Sequence, residues 1–146
     1  QLLDLHFKGA QMGYYTRLEL QWDNTDKRHQ PFTLSDANYV ITQWLNERSL
    51  SNDVLMDWHT LQEEPFGYCF NSLSKNQLIE LLEIIASAFP HVHFYARGMG
   101  EDFTDVWLRE FANGKVIKSI GPFKLDSDSN GQPQKIGWLS KLFSQS

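Results

Sequence analysis

Two histidines, His91 and His93, lie two residues apart in a stretch whose alternation is typical of a β-strand, so both side chains are expected to point to the same side of a sheet. Imidazole pairs of this kind can hold zinc. A complete site needs a third and a fourth ligand, and no group of Cys, His or carboxylate residues supplies them at a recognisable spacing. The sequence therefore favours two solvated histidines over a metal site, and it predicts no cofactor.

A second group of reactive side chains surrounds the end of a short predicted helix, where Asp57 and His59 precede Glu63 and Glu64. A carboxylate beside an imidazole can act as a general acid–base pair if a cleft holds a substrate there. The same residues are common on the solvated ends of helices, and no nucleophile elbow or glycine-rich phosphate loop accompanies them. A small hydrolase or metal-dependent enzyme that uses either histidine group is the alternative hypothesis.

A calcium-loop pattern, D-x-D-x-N-G, begins at Asp126. The twelfth position of such a loop carries a bidentate acid, but here it is Gly137. Pro133 also interrupts the segment where the loop normally forms its short β-pairing, and the flanking helices are missing. We therefore interpret residues 126–134 as an acidic loop that opens a short C-terminal tail, 126–146.

The most distinctive polar cluster falls between two predicted strands in the C-terminal half. It contains one arginine, three carboxylates and one aromatic residue: Arg97, Glu101, Asp102, Phe103 and Asp105. Arginine and aromatic side chains set among carboxylates are typical of protein–protein interfaces. The opposing interpretation is that the aromatic residues of the next strand, Trp107 and Phe111, belong to the core and the carboxylates only solvate a loop. The composition does not decide between the two.

Helical periodicity identifies the helices that would position these polar side chains. Apolar stripes predict two amphipathic helices, 34–48 and 74–89, and a shorter one over 52–61. Pro90 follows the second of them and cannot continue it with a normal hydrogen bond. Capping-box patterns precede the two longer helices: Thr33 with Asp36, and Ser74 with Gln77.

Period-two alternation and turn residues identify the strands. Asn113-Gly114 between two β-rich runs predicts a tight hairpin, and Gly98-Met99-Gly100 predicts a turn before it. The strands are predicted at 14–22, 67–73, 91–96, 106–111 and 116–120. Helices alternate with strands that have one apolar and one solvent-exposed side. We therefore expect a single α+β domain over 1–146, with a mainly antiparallel sheet and the helices packed on one face.

Composition limits the classes of function. The formal net charge is −5, and a protein that binds nucleic acid generally needs a Lys/Arg surface to displace counterions. An acidic balance disfavours nucleic acid as a partner and is compatible with a basic protein. No apolar run approaches the roughly 20 residues that a membrane span needs, so no membrane partner is predicted. The oligomeric state stays open.

Cysteine usage and the first residue bear on the cellular compartment. Cys69 is the only cysteine, so no internal disulfide can form, and its aromatic neighbours predict a buried, inert thiol. The chain starts at Gln1 rather than Met, which indicates a trimmed N-terminus and leaves a removed signal peptide open. A cytoplasmic location is expected.

The C-terminal half has a family resemblance. Helix 74–89 followed by 91–117, including the E-x-x-N-G-K pattern from Glu110 to Lys115, resembles the C-terminal half of small ferredoxin-like proteins carried by bacterial phages and plasmids. Similar small acidic α+β proteins serve as immunity proteins in bacterial contact-dependent growth inhibition. The resemblance implies a ferredoxin-like sandwich and covers about 45 of the 146 residues. Its motifs are structural, so it transfers no functional residue.

These observations lead to one expected function. The sequence shows no recognisable arrangement of catalytic residues, and its net charge is negative. We therefore expect a non-catalytic binding protein. Its most concrete form is an immunity protein that covers the active site of a cognate toxin. A nuclease toxin would have an electropositive cleft, in which Glu101, Asp102 and Asp105 would mimic phosphates. Arg97 and Phe103 would bind beside them.

Overall fold

The computed structural model describes residues 15–64 and 67–123. Five strands, three α-helices and one 3-10 turn follow one another in these residues. In chain order they are β1 (Thr16–Asn24), the 3-10 turn (Leu34–Ala37), α1 (Asn38–Glu47), α2 (Asp53–Leu61), β2 (Tyr68–Phe70), α3 (Lys75–Ala88), β3 (Val92–Met99), β4 (Val106–Ala112) and β5 (Lys115–Ile120). The predicted acidic loop 126–134 and the tail 126–146 lie outside the described residues.

The five strands form one open antiparallel sheet in the order β2-β1-β3-β4-β5. β1 pairs with β2 over three residues and with β3 along almost its whole length, and β3, β4 and β5 continue as a meander. The α+β class with a mainly antiparallel sheet is therefore confirmed. The described residues contain one helix and one strand more than the β-α-β-β-α-β order of ferredoxin-like proteins.

The helices begin where the sequence places their caps. Before α3, the Ser74 hydroxyl accepts a hydrogen bond from the Gln77 amide at 3.2 Å, and the Gln77 side chain accepts one from the Ser74 amide at 2.9 Å. This reciprocal pair satisfies two N–H groups that a helix start leaves unbonded. The predicted helix 34–48 is instead divided, because its first turn is 3-10 and α1 begins at Asn38. None of the helices in the described residues is long and apolar enough to cross a membrane.

The two predicted turns have different outcomes. Asn113 and Gly114 both have positive φ, 55° and 78°, as a two-residue hairpin turn requires, and the hairpin is confirmed. The predicted turn at 98–100 is wrong for its first two residues, because β3 continues to Met99. Gly98 lies inside the strand and leaves room for an aromatic ring, since a Cβ there would be 2.1 Å from the indole of Trp107.

The helices cover one face of the sheet and form the core with it. α3 packs across β3, β4 and β5, α1 packs on α3, and α2 packs on β2. The Trp58 indole nitrogen donates to the Leu34 carbonyl at 2.6 Å, so this buried N–H is satisfied. The largest fully buried side chains come from both layers: Trp44, Trp58, Trp107, Phe70, Phe94 and Phe111.

Cys69 differs from its prediction. It is exposed rather than buried, although Phe70 beside it is fully buried. Both residues belong to β2, where successive side chains point to opposite faces, so the aromatic neighbour takes the core side and the thiol takes the other. The prediction of a buried thiol was therefore wrong.

Candidate functional site

The β3–β4 loop, residues 100–105, is closed by its own backbone. The Gly100 amide donates to the Asp105 carbonyl at 2.7 Å, and the Asp105 amide donates to the Asp102 carbonyl at 3.0 Å. The Glu101 carboxylate also accepts a hydrogen bond from the Tyr15 amide at 2.7 Å, which ties the loop to the start of β1. Phe103 stands at the tip with 68% of its surface exposed. The loop therefore presents an aromatic side chain between strands that hold it on both sides.

Asp105 differs from the other predicted contact residues because only 2% of its surface is exposed. Its carboxylate forms an ion pair with the Lys75 ammonium, at 3.3 Å, in the first turn of α3. A buried carboxylate needs such a partner, since desolvation alone would penalise its charge. In this conformation Asp105 anchors the loop to α3 and offers no carboxylate surface to a partner.

Arg97 lies on the sheet rather than in the loop. Because β3 runs to Met99, Arg97 stands opposite Glu19 of β1 in the register of the two strands. Its guanidinium donates two hydrogen bonds to one Glu19 carboxylate oxygen, at 3.0 and 2.7 Å. The five residues that the sequence grouped together thus occupy three places: Glu101, Asp102 and Phe103 in the exposed loop, Arg97 on the sheet surface, and Asp105 in the interior.

The sheet has a second face, which the described helices do not cover. We call it the open face, and its side chains come from β1, β3, β4 and β5: Glu19, Gln21, Tyr95, Arg97, Met99, Leu108, Glu110, Lys118 and Ile120. Four of them are large, apolar and between 37% and 40% exposed: Tyr95, Met99, Leu108 and Ile120. Most of the face lines an open depression of about 430 Å³. Apolar side chains grouped in this way on a surface commonly mark an interaction site.

A histidine with its own polar contact stacks on Tyr95 of the open face. The His93 Nε2 atom lies 2.6 Å from a Glu110 carboxylate oxygen on β4. The His93 ring stacks on Tyr95 with 4.5 Å between centroids and 12° between planes. Because the imidazole is held on one side by Glu110, it limits the positions that the Tyr95 ring can take. The depression is therefore lined by side chains that are already oriented.

Sequence reasoning missed the open face, although a signal for it was present. β3 and β4 contain adjacent apolar residues, Phe94-Tyr95-Ala96 and Trp107-Leu108, where strict alternation would place a polar one. In a strand, adjacent side chains point to opposite faces, so such runs place apolar groups on both. The sequence alone does not tell which faces the helices leave uncovered.

The two histidines of the predicted strand have different contacts. His91 precedes β3 and stacks on His29, with 4.2 Å between centroids, whereas His93 binds Glu110. Among residues 15–64 and 67–123, no group of three or more His, Cys, Asp or Glu side chains is arranged to hold a metal ion.

The acid–base group at the end of α2 is also divided. The His59 imidazole lies 2.7 Å from the Asn38 side-chain oxygen at the start of α1. Asp57 lines a hollow of about 380 Å³ beside β2, and its Oδ2 atom is buried with no hydrogen-bond partner among the residues that the structure describes. Burial, and secondarily the negative charge of Asp53, raise the pKa of Asp57 from 3.8 to about 6. Asp57 is thus the one member of this group with an unusual environment.

Comparison with known proteins adds no relative. No family model matches the chain, and neither the curated proteins nor the solved structures contain a match. The open face and the β3–β4 loop are therefore the features from which a function can be inferred.

Proposed function

We propose that this chain is a non-catalytic binding protein whose partner contacts the open face and the adjoining β3–β4 loop. The observation that carries the proposal is the group of four exposed apolar side chains on the side of the sheet that the described helices leave uncovered. These side chains come from paired strands, so little conformational freedom is lost when a partner covers them. The loop continues this surface, because it joins the ends of β3 and β4 and presents Phe103.

In its concrete form, the proposal is a bacterial immunity protein that neutralises a basic nuclease toxin. Glu101 and Asp102 lie in the exposed loop, where carboxylates can take the place of phosphates in an electropositive cleft. Phe103 follows these two residues in the loop and precedes β4. It supplies an aromatic side chain of the kind that anchors protein–protein interfaces. The resemblance of the C-terminal half to such proteins supports the same choice. Asp105 is no longer among the proposed charge contacts because it is buried.

The test is binding to the protein encoded by the neighbouring reading frame in the native genome, measured by isothermal titration calorimetry. We expect the triple variant Glu101→Ala, Asp102→Ala, Phe103→Ala to weaken the complex at least about 30-fold, which is roughly 2 kcal/mol. A matched control removes two exposed carboxylates and one exposed apolar side chain elsewhere: Glu63→Ala, Glu64→Ala, Met56→Ala.

The control variant should change the affinity by less than about threefold, since residues outside an interface contribute little to binding. The intact chain should also inhibit the nuclease activity of the partner and protect cells that express it. The proposal fails if the chain protects cells from no toxin, or if the control variant weakens the complex as much as the loop variant.

An enzyme that uses acid–base chemistry is the second candidate, and the environment of Asp57 favours it. A carboxyl group with a pKa of about 6 in a hollow can accept and release protons near neutral pH. A panel of ester, phosphodiester and glycoside substrates should then reveal an activity that Asp57→Asn abolishes and His59→Ala reduces. If no turnover occurs with any of them, or if turnover survives in Asp57→Asn, this candidate is rejected.

A further inference from the structure

Within residues 15–64 and 67–123, β5 (Lys115–Ile120) is the last strand of the sheet and pairs with β4 alone. All six of its residues are exposed. Three of the six are apolar: Val116, Ile117 and Ile120. An edge strand directs unpaired N–H and C=O groups outward, and proteins usually shorten, bend or cover such edges. β5 is long enough to accept another strand on its outer side.

The chain beyond β5 turns toward the β3–β4 loop. Gly121 packs against the Val106 carbonyl so closely that a Cβ there would be 2.2 Å from the oxygen. The Phe123 amide then donates to the Thr104 carbonyl at 3.1 Å. This path leads under the start of β4 rather than back along β5. Up to Phe123, therefore, no strand of the described chain lies against the outer edge.

The charge of this edge is opposite to that of the whole chain. Lys115 and Lys118 are the only charged residues of β5, and neither forms an ion pair with a carboxylate of the described residues. The guanidinium of Arg109 also reaches the end of the strand, where it donates to the Ile120 carbonyl at 3.0 Å. The protein as a whole has a formal net charge of −5. The β5 edge is therefore locally basic and apolar.

Local charge decides between the possible occupants. Two copies of this chain, paired edge to edge through β5, would bring four lysines together, and close like charges destabilise strand pairs. An extended segment with alternating acidic and apolar side chains would instead pair its carboxylates with Lys115 and Lys118. Because side chains alternate along a strand, its apolar residues would lie on the other side of the sheet, where they would cover Ile117. Backbone hydrogen bonds to the free edge would supply affinity, as in other cases of strand addition.

We infer that the outer edge of β5 is a docking site for an extended acidic–apolar segment of a partner protein, which adds to the sheet as a sixth strand. The inference depends on the sheet edge and its lysines. It shares Lys118 and Ile120 with the open face but does not require that the partner be a toxin. It also assigns a role to a strand that contributes no fully buried side chain.

The probe is a fluorescent peptide of alternating Glu and Val, compared with a peptide in which every Glu is replaced by Lys. Anisotropy titrations use the full chain at low salt. We expect the Glu peptide to bind at least tenfold more tightly than the Lys peptide. Hydrogen exchange should show that the Glu peptide slows the β5 amides. Lys118→Glu should weaken the Glu peptide about tenfold and strengthen the Lys peptide, whereas Lys27→Glu, an equal charge change after β1, should alter neither by more than about twofold.

Several results would overturn this inference. If the β5 amides that point away from β4 exchange slowly in the isolated chain, the edge is already covered by another part of the chain or, where sedimentation shows a dimer, by a second copy. If the two peptides bind equally, or if the two Lys→Glu variants have equal effects, the β5 lysines do not select an acidic segment. Tight binding of an oligothymidylate that Lys118→Glu abolishes would identify the edge as a nucleic-acid site instead.

Discussion

The two faces of the sheet carry similar apolar and aromatic side chains, but these side chains are buried on one face and partly exposed on the other. On the helix-covered face, Phe94, Trp107 and Phe111 are buried between the strands and α3. On the open face, Tyr95 and Leu108 come from the same strands, directly adjacent in sequence, yet a large part of each is exposed. Since the hydrophobic contribution follows the apolar area removed from water, only the first group stabilises the fold strongly. The second group is available for binding.

The largest expected effect separates the two faces by mutation of adjacent residues. Trp107→Ala should lower the free energy of unfolding by about 3–5 kcal/mol, because it removes a fully buried indole and leaves a cavity. Leu108→Ala on the open face should cost less than about 1 kcal/mol. Urea denaturation followed by circular dichroism measures both. Equal losses would mean that the open face is covered in solution.

A second comparison concerns the acids of the β3–β4 loop. Asp105→Ala should destabilise the protein by about 1–3 kcal/mol, because it leaves the Lys75 ammonium without its buried partner. Asp102→Ala, in the exposed part of the same loop, should cost at least about 1 kcal/mol less. Thermal unfolding of the two variants at one pH and one salt concentration is sufficient. A larger loss for Asp102→Ala would contradict the assignment of Asp105 as the anchor.

The third prediction concerns pH. Because the pKa of Asp57 is raised from 3.8 to about 6, the folded state binds this proton more tightly than the unfolded chain does. Its contribution to stability is therefore greatest below about pH 4 and decreases as the pH rises through about 6. The full shift corresponds to about 3 kcal/mol, and partial exposure of the side chain reduces this to about 1–2 kcal/mol.

Asp57→Asn should consequently raise the free energy of unfolding at pH 7.5 by about 1–2 kcal/mol and flatten its dependence on pH between about 4 and 7. Asp23→Asn, an exposed acid on β1, serves as the control and should leave that dependence unchanged. Urea titrations at several pH values give both curves. A decrease in stability at pH 7.5 would show that the Asp57 carboxylate has a partner that stabilises its charge.

The smallest expected effect belongs to the ion pair on the open face. Arg97 and Glu19 are both partly exposed, so their coupling in a double-mutant cycle of Arg97→Ala and Glu19→Ala should be about 0.5 kcal/mol and should decrease in high salt. Their effect on partner affinity should be larger than their effect on stability. Coupling above about 2 kcal/mol would place the pair with the structural contacts instead.

Much of the fold could be predicted because its signals are local. Ser74 and Gln77 cap α3 through contacts three residues apart, and Asn113-Gly114 forms its hairpin with the positive φ angles that these residues tolerate. The strand at Gly98 and Met99 could not be predicted in this way. Its extent is determined by pairing with β1, some 80 residues earlier in the chain, and by the indole of Trp107.

The site was less predictable because burial depends on distant parts of the chain. Glu101, Asp102 and Phe103 were correctly placed in an exposed loop by their composition and spacing. Asp105, only two residues beyond them, is buried because Lys75 of α3 lies against it. The exposure of Leu108 likewise depends on which side of the sheet the helices pack. Neither the Lys75 contact nor the side of helix packing leaves a periodic signal in the sequence.

The central claim is that a partner contacts the open face and the β3–β4 loop, and chemical-shift mapping tests it most directly. The ¹⁵N-labelled chain would be titrated with the unlabelled product of the neighbouring reading frame. We expect the largest chemical-shift changes at Tyr95, Arg97, Phe103 and Leu108, and little change in α1 and α2. Changes concentrated on α1 and α2, with the open face unperturbed, would contradict it.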